Sequence, residues 1–509
     1  MLSKSKYLSG LQCLRLLWYR ARKPTELPQH SEATQLKLNQ GAEIGILAHY
    51  LFANGILLNH TDFFKGIADT REALKSRRPL FEAAFYDKEK NLYSRADILV
   101  PNGEDSWDIY EIKSAASVKS EYLEDIAFQK YVYERAGLNI ADCYIMYINN
   151  KYVRKGELDL NQLFKIENVN EKLESVSEEI NLRIDDENKS IANDTPPPPQ
   201  LGMCCFNPYE CQLKEKCWQN VPDGSVFELC GGNKIPSELW KQGYVYLKDV
   251  PTDMLEFNEK QRNQILAYQQ GQAHIEKEKI QEWLKQLKYP LYFLDFETYD
   301  TAVPLYDGCR PYQKIPFQFS LHIQQQKHGP TTHISYLASG NGDERAEFAA
   351  ALKQSLGENG SIIVYYDSFE KMVINEIGEL FPEYAQWSEK ACQRVLDLLM
   401  PFKEHYFHSP LQKGSASIKK VLPALSDESY DGMDIGNGEL ASYYFTRIVM
   451  GKASDDEKSK IRQNLSDYCK LDTYSMVLLV SALYKLVDEQ EIKHTKDNPK
   501  PNEQLRFQI

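Results

Sequence analysis

Residues 291–300 read LYFLDFETYD. Large apolar and aromatic side chains surround two carboxylates, Asp295 and Glu297, two positions apart. A short run of this kind reads as a buried strand. Its period of two sends both carboxylates to the same face. Two acids fixed on one rigid strand suit a divalent cation, which takes hard oxygen ligands. Far downstream, LSDYCKLDTYSM (465–476) sets Tyr468 and Asp472 four apart, on one side of a helix. A second acidic set lies upstream. Asp97 sits in YSRADILVP (93–101), and WDIYEIKSA (107–115) supplies Glu111 and Lys113, again two apart on an apolar strand. Metal-dependent hydrolysis of a phosphodiester needs carboxylates gathered in this way.

Around these two sets the chain reads as α/β. In the first half, strands are expected near 79–86, 92–100, 107–113 and 141–149. Helices are expected over 1–25, 35–54 and 120–136. From 290 the spacing predicts strands at 290–296, 316–324, 332–337 and 361–366. Helices are expected at 343–356, 369–379, 415–424 and 457–487. The segment 183–200 is polar and ends in four prolines, so it reads as an exposed loop or linker. Residues 253–289 read as a charged helical stretch joining the halves. The expected division is a nuclease-like domain at 1–220, a helical linker at 221–287, a second domain at 288–487 and a loose tail at 488–509.

A chain of 509 residues is too long for one core, so two or three domains are expected. The hydrophobic fraction of 42% is that of a globular protein. With a net charge of -13, phosphates would have to be met by local patches. The N-terminal cations Lys4, Lys6, Arg15, Arg20, Arg22 and Lys23 offer one, or else a solvated helix face. No run is apolar and long enough to cross a membrane, and no signal-peptide pattern opens the chain. A soluble, cytoplasmic protein without disulfides is expected.

Chemistry can be assigned to the first set from its residue types. A divalent ion held by Asp97, Glu111 and a backbone carbonyl would activate a water near neutral pH. Lys113 would orient that water or offset charge developing on the phosphate. Exposed salt bridges are the competing reading of the same pattern. AFQKYVY (127–133) places Gln129 and Tyr133 on one side of the expected helix. Together these residues resemble the RecB-type nucleases of the PD-(D/E)xK superfamily. That resemblance implies a restriction-endonuclease-like fold with Asp97, Glu111, Lys113, Gln129 and Tyr133 at the site. It also implies a histidine on a preceding helix, for which GAEIGILAHYLF (41–52) offers His49, with Glu43 the alternative.

The cysteines Cys205, Cys211 and Cys217 are spaced C-x5-C-x5-C, and Cys13 precedes them by nearly two hundred residues. Three near thiolates and one distant one can close a four-coordinate site for iron–sulfur or zinc. The resemblance to the RecB-type branch that includes AddB and CRISPR-associated nucleases implies a structural [4Fe–4S] cluster on these four, with zinc the alternative. Cys204 is an extra thiol beside Cys205.

The second set resembles the DnaQ-like exonucleases of the RNase H-like fold, in their Y-x3-D subgroup. The resemblance implies two Mg²⁺ or Mn²⁺ ions held by four carboxylates, with Tyr468 positioning water. SIIVYYDSFEKM (361–372) offers Asp367 and Glu370 for the middle carboxylate, and Glu370 is assigned. Asp397 reads as structural or supporting. Lys419 and Lys420 in KGSASIKKVLPAL (413–425) are candidate phosphate contacts, or a solvated basic turn. The expectation is a metal-dependent nuclease acting on nucleic acid, DNA favoured over RNA, at single-stranded ends. A protein partner in defence or repair is the setting that family analogy suggests. One active site with the other as a binding platform, and a non-catalytic end-binding scaffold, are the rival readings.

Overall fold

The computed structural model describes residues 1–58, 62–254 and 256–488. The expected loose tail lies, beyond Asp488, outside the described residues. The chain divides into two compact units, each mixed α/β. The first comprises Met1–Asn220 with Thr301–Gln313, and the second comprises Val221–Asp300 with the chain from Lys314 onward.

The first unit opens with a two-residue strand, β1 (Leu2–Ser3), and the helices α1 (Lys4–Gln12) and α2 (Leu14–Arg22). The single helix expected over 1–25 is therefore two. Cys13 between them is extended (φ -165°, ψ 121°) and breaks the helical ladder. Next come α3 (Glu32–His49), β2 (Ile56–Leu57), α4 (Phe63–Leu74), β3 (Leu80–Asp87), β4 (Leu92–Asn102), β5 (Ser106–Lys113), α5 (Ser120–Arg135) and β6 (Asn139–Ile148). One helical turn, α6 (Leu160–Leu163), leads to β7 (Phe164–Asn168) and α7 (Asn170–Ala192), and a short helix, α8 (Lys214–Trp218), follows.

The strands form one sheet in the order β2-β3-β4-β5-β6-β7, with β1 parallel to β4. Helices α1, α5 and α7 cover one face, where Tyr7, Phe128, Tyr133 and Ile184 are buried with Phe85 and Ile109. Helix α3 covers the other, where Ile44 and Ala48 meet Ile98, Ile112 and Met146. The segment 183–200, expected as loop throughout, is helical to Ala192. Leu173, Ile180 and Ile184 bury one stripe of α7, and that stripe outweighs the polar composition of the opposite side. Only the proline-rich remainder is non-helical.

Residues 301–313, inserted between two strands of the second unit's sequence, complete the first unit. Arg154 N donates to Cys309 O (3.0 Å), and the Arg154 guanidinium reaches Pro304 O (2.9 Å) and Leu305 O (3.1 Å).

In the second unit, residues 221–287 are not a spacer. They include α9 (Lys234–Lys241), α10 (Glu259–Gln270), β8 (His274–Ile275) and α11 (Lys277–Leu284). Val226, Leu239, Leu247, Phe257 and Ile265 give them an apolar cluster of their own. The sheet follows: β9 (Leu291–Tyr299), β10 (Ile315–Gln324), β11 (Thr331–Leu337), α12 (Arg345–Ser355), β12 (Ser361–Val364), α13 (Asp367–Leu380), α14 (Ala385–Gln393) and β13 (Val395–Asp397). After α15 (Met400–Lys403), β14 (Phe407–His408) pairs with β8, which knits the expected linker into this unit. Then come α16 (Ile418–Leu425), α17 (Gly438–Val449) and α18 (Asp455–Asp488).

The sheet order is β11-β10-β9-β12-β13, antiparallel on the β10 side and parallel on the β12 side. The strand that carries Asp295 and Glu297 is thus the central one. Helix α18 starts at a reciprocal cap: Ser454 Oγ accepts from Glu457 N, and the Glu457 carboxylate accepts from Ser454 N. Its stripe Leu465, Tyr468, Cys469, Asp472, Met476 and Leu479 is buried.

Candidate functional site

In the first unit, β5 sends Ile112 into the α3 layer and Glu111 and Lys113 towards α5. Asp97 sits where regular β3–β4–β5 pairing is interrupted. On β3 the facing residue, Glu82, holds a left-handed φ of 62°, a conformation that costs a non-glycine residue energy. Asp97 Oδ2 instead accepts from Ile112 N (2.8 Å). Helix α5 presents Asp125, Gln129 and Tyr133, four residues apart, to this face. Gln129 Nε2 donates to Glu111 Oε2 (2.6 Å) and Asp125 Oδ1 (3.1 Å), and Tyr133 OH donates to Gln129 Oε1 (3.0 Å). Lys113 pairs with Glu111 (2.7 Å) and with Asp125.

A second lysine enters from α1. Lys4 Nζ lies 2.9 Å from Glu111 Oε1, 3.5 Å from Asp125 and 4.0 Å from Asp97. Burial, then the charge of Glu111, pushes the Asp97 carboxyl up to about 7 against the pull of both lysines. For Glu111 burial is outweighed by Lys113 and Lys4, which hold it far below the usual carboxylate range.

The structure brings Asp97, Glu111, Lys113, Gln129 and Tyr133 together. The His49 ring stacks on Phe81 (4.0 Å, 4°) at the α3 layer. Reading the sequence missed Lys4 and Asp125. Asp125 was within reach, being one turn before Gln129 on the same helix face. Lys4 was marked only as one of the N-terminal cations, not as a partner of these acids.

In the second unit, Asp295, Glu297 and Asp472 each place a ligand atom within 4.8 Å of the others. No other group of three His, Cys, Asp or Glu side chains among the described residues is that close. Strand β10 clamps α18 on both sides of this point. Gln318 Nε2 donates to Leu465 O (2.9 Å), while Ser320 Oγ and His322 Nδ1 meet Thr473 Oγ1 (2.8 Å each).

Burial, then Asp472, pushes Asp295 well above its usual range, and burial, then Asp295, does the same to Glu297. Asp472 is pushed up to about 6 by burial, against Tyr430, whose hydroxyl donates to it (2.6 Å). Glu370 is 3% exposed, its Oε2 has no hydrogen-bond partner, and burial and then Asp295 raise it strongly. The alternative, Asp367, pairs with Lys371 on the surface of α13. Asp397 is a turn builder: its Oδ1 accepts from Tyr366 N (2.9 Å) and Leu399 N (2.8 Å). Tyr468 OH accepts from Lys419 Nζ (3.3 Å), so Lys419 is part of the acidic centre rather than a free surface cation. Lys420 is exposed. The raised carboxyls show that nothing in the second unit compensates the charge these acids would carry when ionised, which fits a divalent cation.

The cysteines form a third cluster. Cys13, Cys204, Cys205, Cys211 and Cys217 line one pocket, with Arg15 beside them. Burial, then neighbouring thiols, pushes Cys204 up to about 12, and burial is the main cause that lifts Cys211 to about 11. No three of these sulfurs lie within 4.8 Å of one another. Tetrahedral zinc at ~2.3 Å from each sulfur needs them ~3.8 Å apart.

The basic N-terminus is largely engaged within the fold. Arg15 donates to Pro197 O, Arg20 to Ser9 Oγ and Gln212 Oε1, Arg22 pairs with Asp194, and Lys23 pairs with Glu26. No described helix is long and apolar enough to cross a membrane.

With this geometry in view, residues 292–417 match a family model described as a domain of unknown function (DUF2779). That span holds Asp295, Glu297 and Glu370 and ends before Lys419, Tyr468 and Asp472. The chain is similar to the "Uncharacterized protein MG366 homolog" of Mycoplasma pneumoniae, 24% identical over 216 residues, which is 39% of this chain and 32% of that protein. It is also similar to "Uncharacterized protein MG366" of Mycoplasma genitalium, 22% identical over 231 residues, 41% of this chain and 34% of that protein. The matched region thus spans about a third of either relative's length.

Proposed function

We propose that the chain is a metal-dependent nuclease that hydrolyses phosphodiester bonds in single-stranded DNA or at DNA ends. The observation that carries this reading is the convergence of Asp295, Glu297 and Asp472 from a central strand and a helix some 175 residues apart in sequence. Buried Glu370 adds a fourth carboxyl with an orphan oxygen. In this reading Asp295, Glu297, Glu370 and Asp472 hold Mg²⁺ or Mn²⁺. A bound divalent ion supplies charge neutralisation and an activated water near neutral pH. Tyr468 and Lys419 orient that water and the phosphate. The unit is then an RNase H-like, DnaQ-type exonuclease domain, supported by the central placement of the D-x-E strand.

The first unit is then a RecB-type nuclease domain with a restriction-endonuclease-like sheet. Asp97, Glu111 and Asp125 would hold the ion, and Lys113, kept charged by its neighbours, faces the developing phosphoryl charge. The cysteine pocket is read as a [4Fe–4S] site on Cys13, Cys205, Cys211 and Cys217. That no three of these sulfurs lie within 4.8 Å of one another favours this over a single zinc ion.

The test is cleavage of end-labelled single- and double-stranded DNA and RNA in Mg²⁺ or Mn²⁺. Asp295→Ala and Lys113→Ala should each remove a distinct part of the activity. A wild-type protein that binds these substrates but never cuts them overturns the reading. Anaerobic purification should give a brown protein absorbing at about 400 nm with stoichiometric iron and sulfide. A colourless, zinc-loaded protein overturns the cluster.

A further inference from the structure

The two acidic centres differ in what neutralises them. In the second unit three carboxylates converge on one another, and the nearby Lys419 ammonium is directed at Tyr468 OH and Gly436 O. In the first unit the acids do not converge within 4.8 Å. They close around an ammonium, with Lys4 Nζ within 4.0 Å of Glu111, Asp125 and Asp97. Lys4 shares Glu111 Oε1 with Lys113. Glu111 therefore bears two cations on one oxygen, more than its single charge requires.

The two lysines are not equivalent. Lys113 issues from the same strand as Glu111 and its side chain is 17% exposed, whereas Lys4 comes from the first turn of α1 and is 25% exposed. Its long, unbranched stem can swing outward without moving the backbone. The backbone there is fixed, because Leu2 is fully buried and β1 is paired to Leu92 and Tyr93 of β4.

We propose that Lys4 is a tethered counter-cation that competes with the divalent ion for Asp97, Glu111 and Asp125, and that metal binding displaces its side chain into solvent. The inference rests on the reading of the first unit as a metal-dependent site. The seated ammonium lies where the acids converge and repels an ion there, so the apparent metal affinity falls by the fraction of time Lys4 is seated. A lysine seated nine-tenths of the time weakens binding about tenfold. The lysine also keeps the acids in register when no ion is bound. The site is thereby preformed but gated by metal concentration.

The test uses the full chain and Mn²⁺ followed by electron paramagnetic resonance, with no substrate. Lys4→Gln should bind its first-unit ion about tenfold more tightly than wild type, while Lys4→Arg stays near wild type. In wild type, amine labelling of Lys4 read by mass spectrometry should rise several-fold on adding Mn²⁺. Equal or weaker binding in Lys4→Gln, or labelling unchanged by Mn²⁺, overturns the proposal. If Lys4→Gln does not fold, the labelling decides alone. Glu111→Gln separates the two failures. If it removes one bound ion while Lys4→Gln has no effect, Lys4 alone is misassigned. If it leaves the ion count unchanged, the metal reading of the first unit falls with it.

Discussion

At the scale of single residues, the acids of the second unit incur a burial and repulsion cost on ionising that a cation would relieve. Asp472→Asn should lower metal-dependent cleavage by at least about 100-fold in an end-labelled assay, because it removes one of three converging ligands. The same residue gives a pH signature in the metal-free protein. Its carboxyl is raised from 3.8 to about 6 by burial, so folding favours the protonated form. That stability is complete at acid pH and is lost as pH rises from the unfolded value through about 6. Melted in EDTA, Asp472→Asn should gain on wild type across that interval, and saturating Mn²⁺ should reverse the order. Glu187 behaves likewise. It is 2% exposed on α7, neither oxygen has a hydrogen-bond partner, and burial lifts it to about 9. The melting advantage of Glu187→Gln over wild type should therefore widen from pH 5 to pH 9. Asp295 and Glu297 were legible in the sequence because period two on an apolar strand leaves little choice of face. Lys4 was not, because its partner Glu111 is 107 residues away and only the packing of α1 on the sheet joins them.

At the scale of elements, tight backbone approaches position the side chains. Gly414 has a φ of +73°, and a Cβ there would lie 1.6 Å from Glu228 O. It docks the loop that leads into α16 and hence to Lys419. Gly414→Ala should cost roughly 1–3 kcal/mol in chemical denaturation and weaken cleavage by the second unit, since loop and lysine shift together. Tyr366, at φ 91°, makes the turn that starts α13 and buries Glu370, and Asp397 accepts from its amide. The sequence marked Glu370 as the middle carboxylate and Asp397 as structural or supporting, but the turn that joins their roles depends on a left-handed tyrosine that composition does not announce. Strands β3 to β6 and β9 to β12, and helices α5, α12, α13 and α18, were legible to within a few residues, whereas α4, α7 and α17 were not expected. The break at Cys13 and the helicity of 183–192 were not, since one depends on a local dihedral and the other on a buried stripe read through polar neighbours.

At the scale of the whole molecule, the first unit is not a continuous piece of chain. Residues 301–313 contribute Ala302 to its core, backbone bonds to Arg154 and a hydroxyl contact from Tyr312 to Ser114 beside Lys113 (3.0 Å). A fragment ending at residue 220 should therefore melt below a version to which 301–313 has been fused, as measured by circular dichroism. The division into halves was legible in the sequence from the two acidic sets. The return of thirteen residues to the first half was not, because that segment carries no periodic pattern of its own. The inserted segment also sets an order of events on the ribosome. The first unit is not complete until residue 313 has emerged, 93 residues after residue 220, a delay of roughly ten seconds at usual translation speeds. Through that interval the α3 side of the first sheet lacks Ala302 and the residues that follow it, so chaperone demand should peak while the central strand of the second sheet is being made.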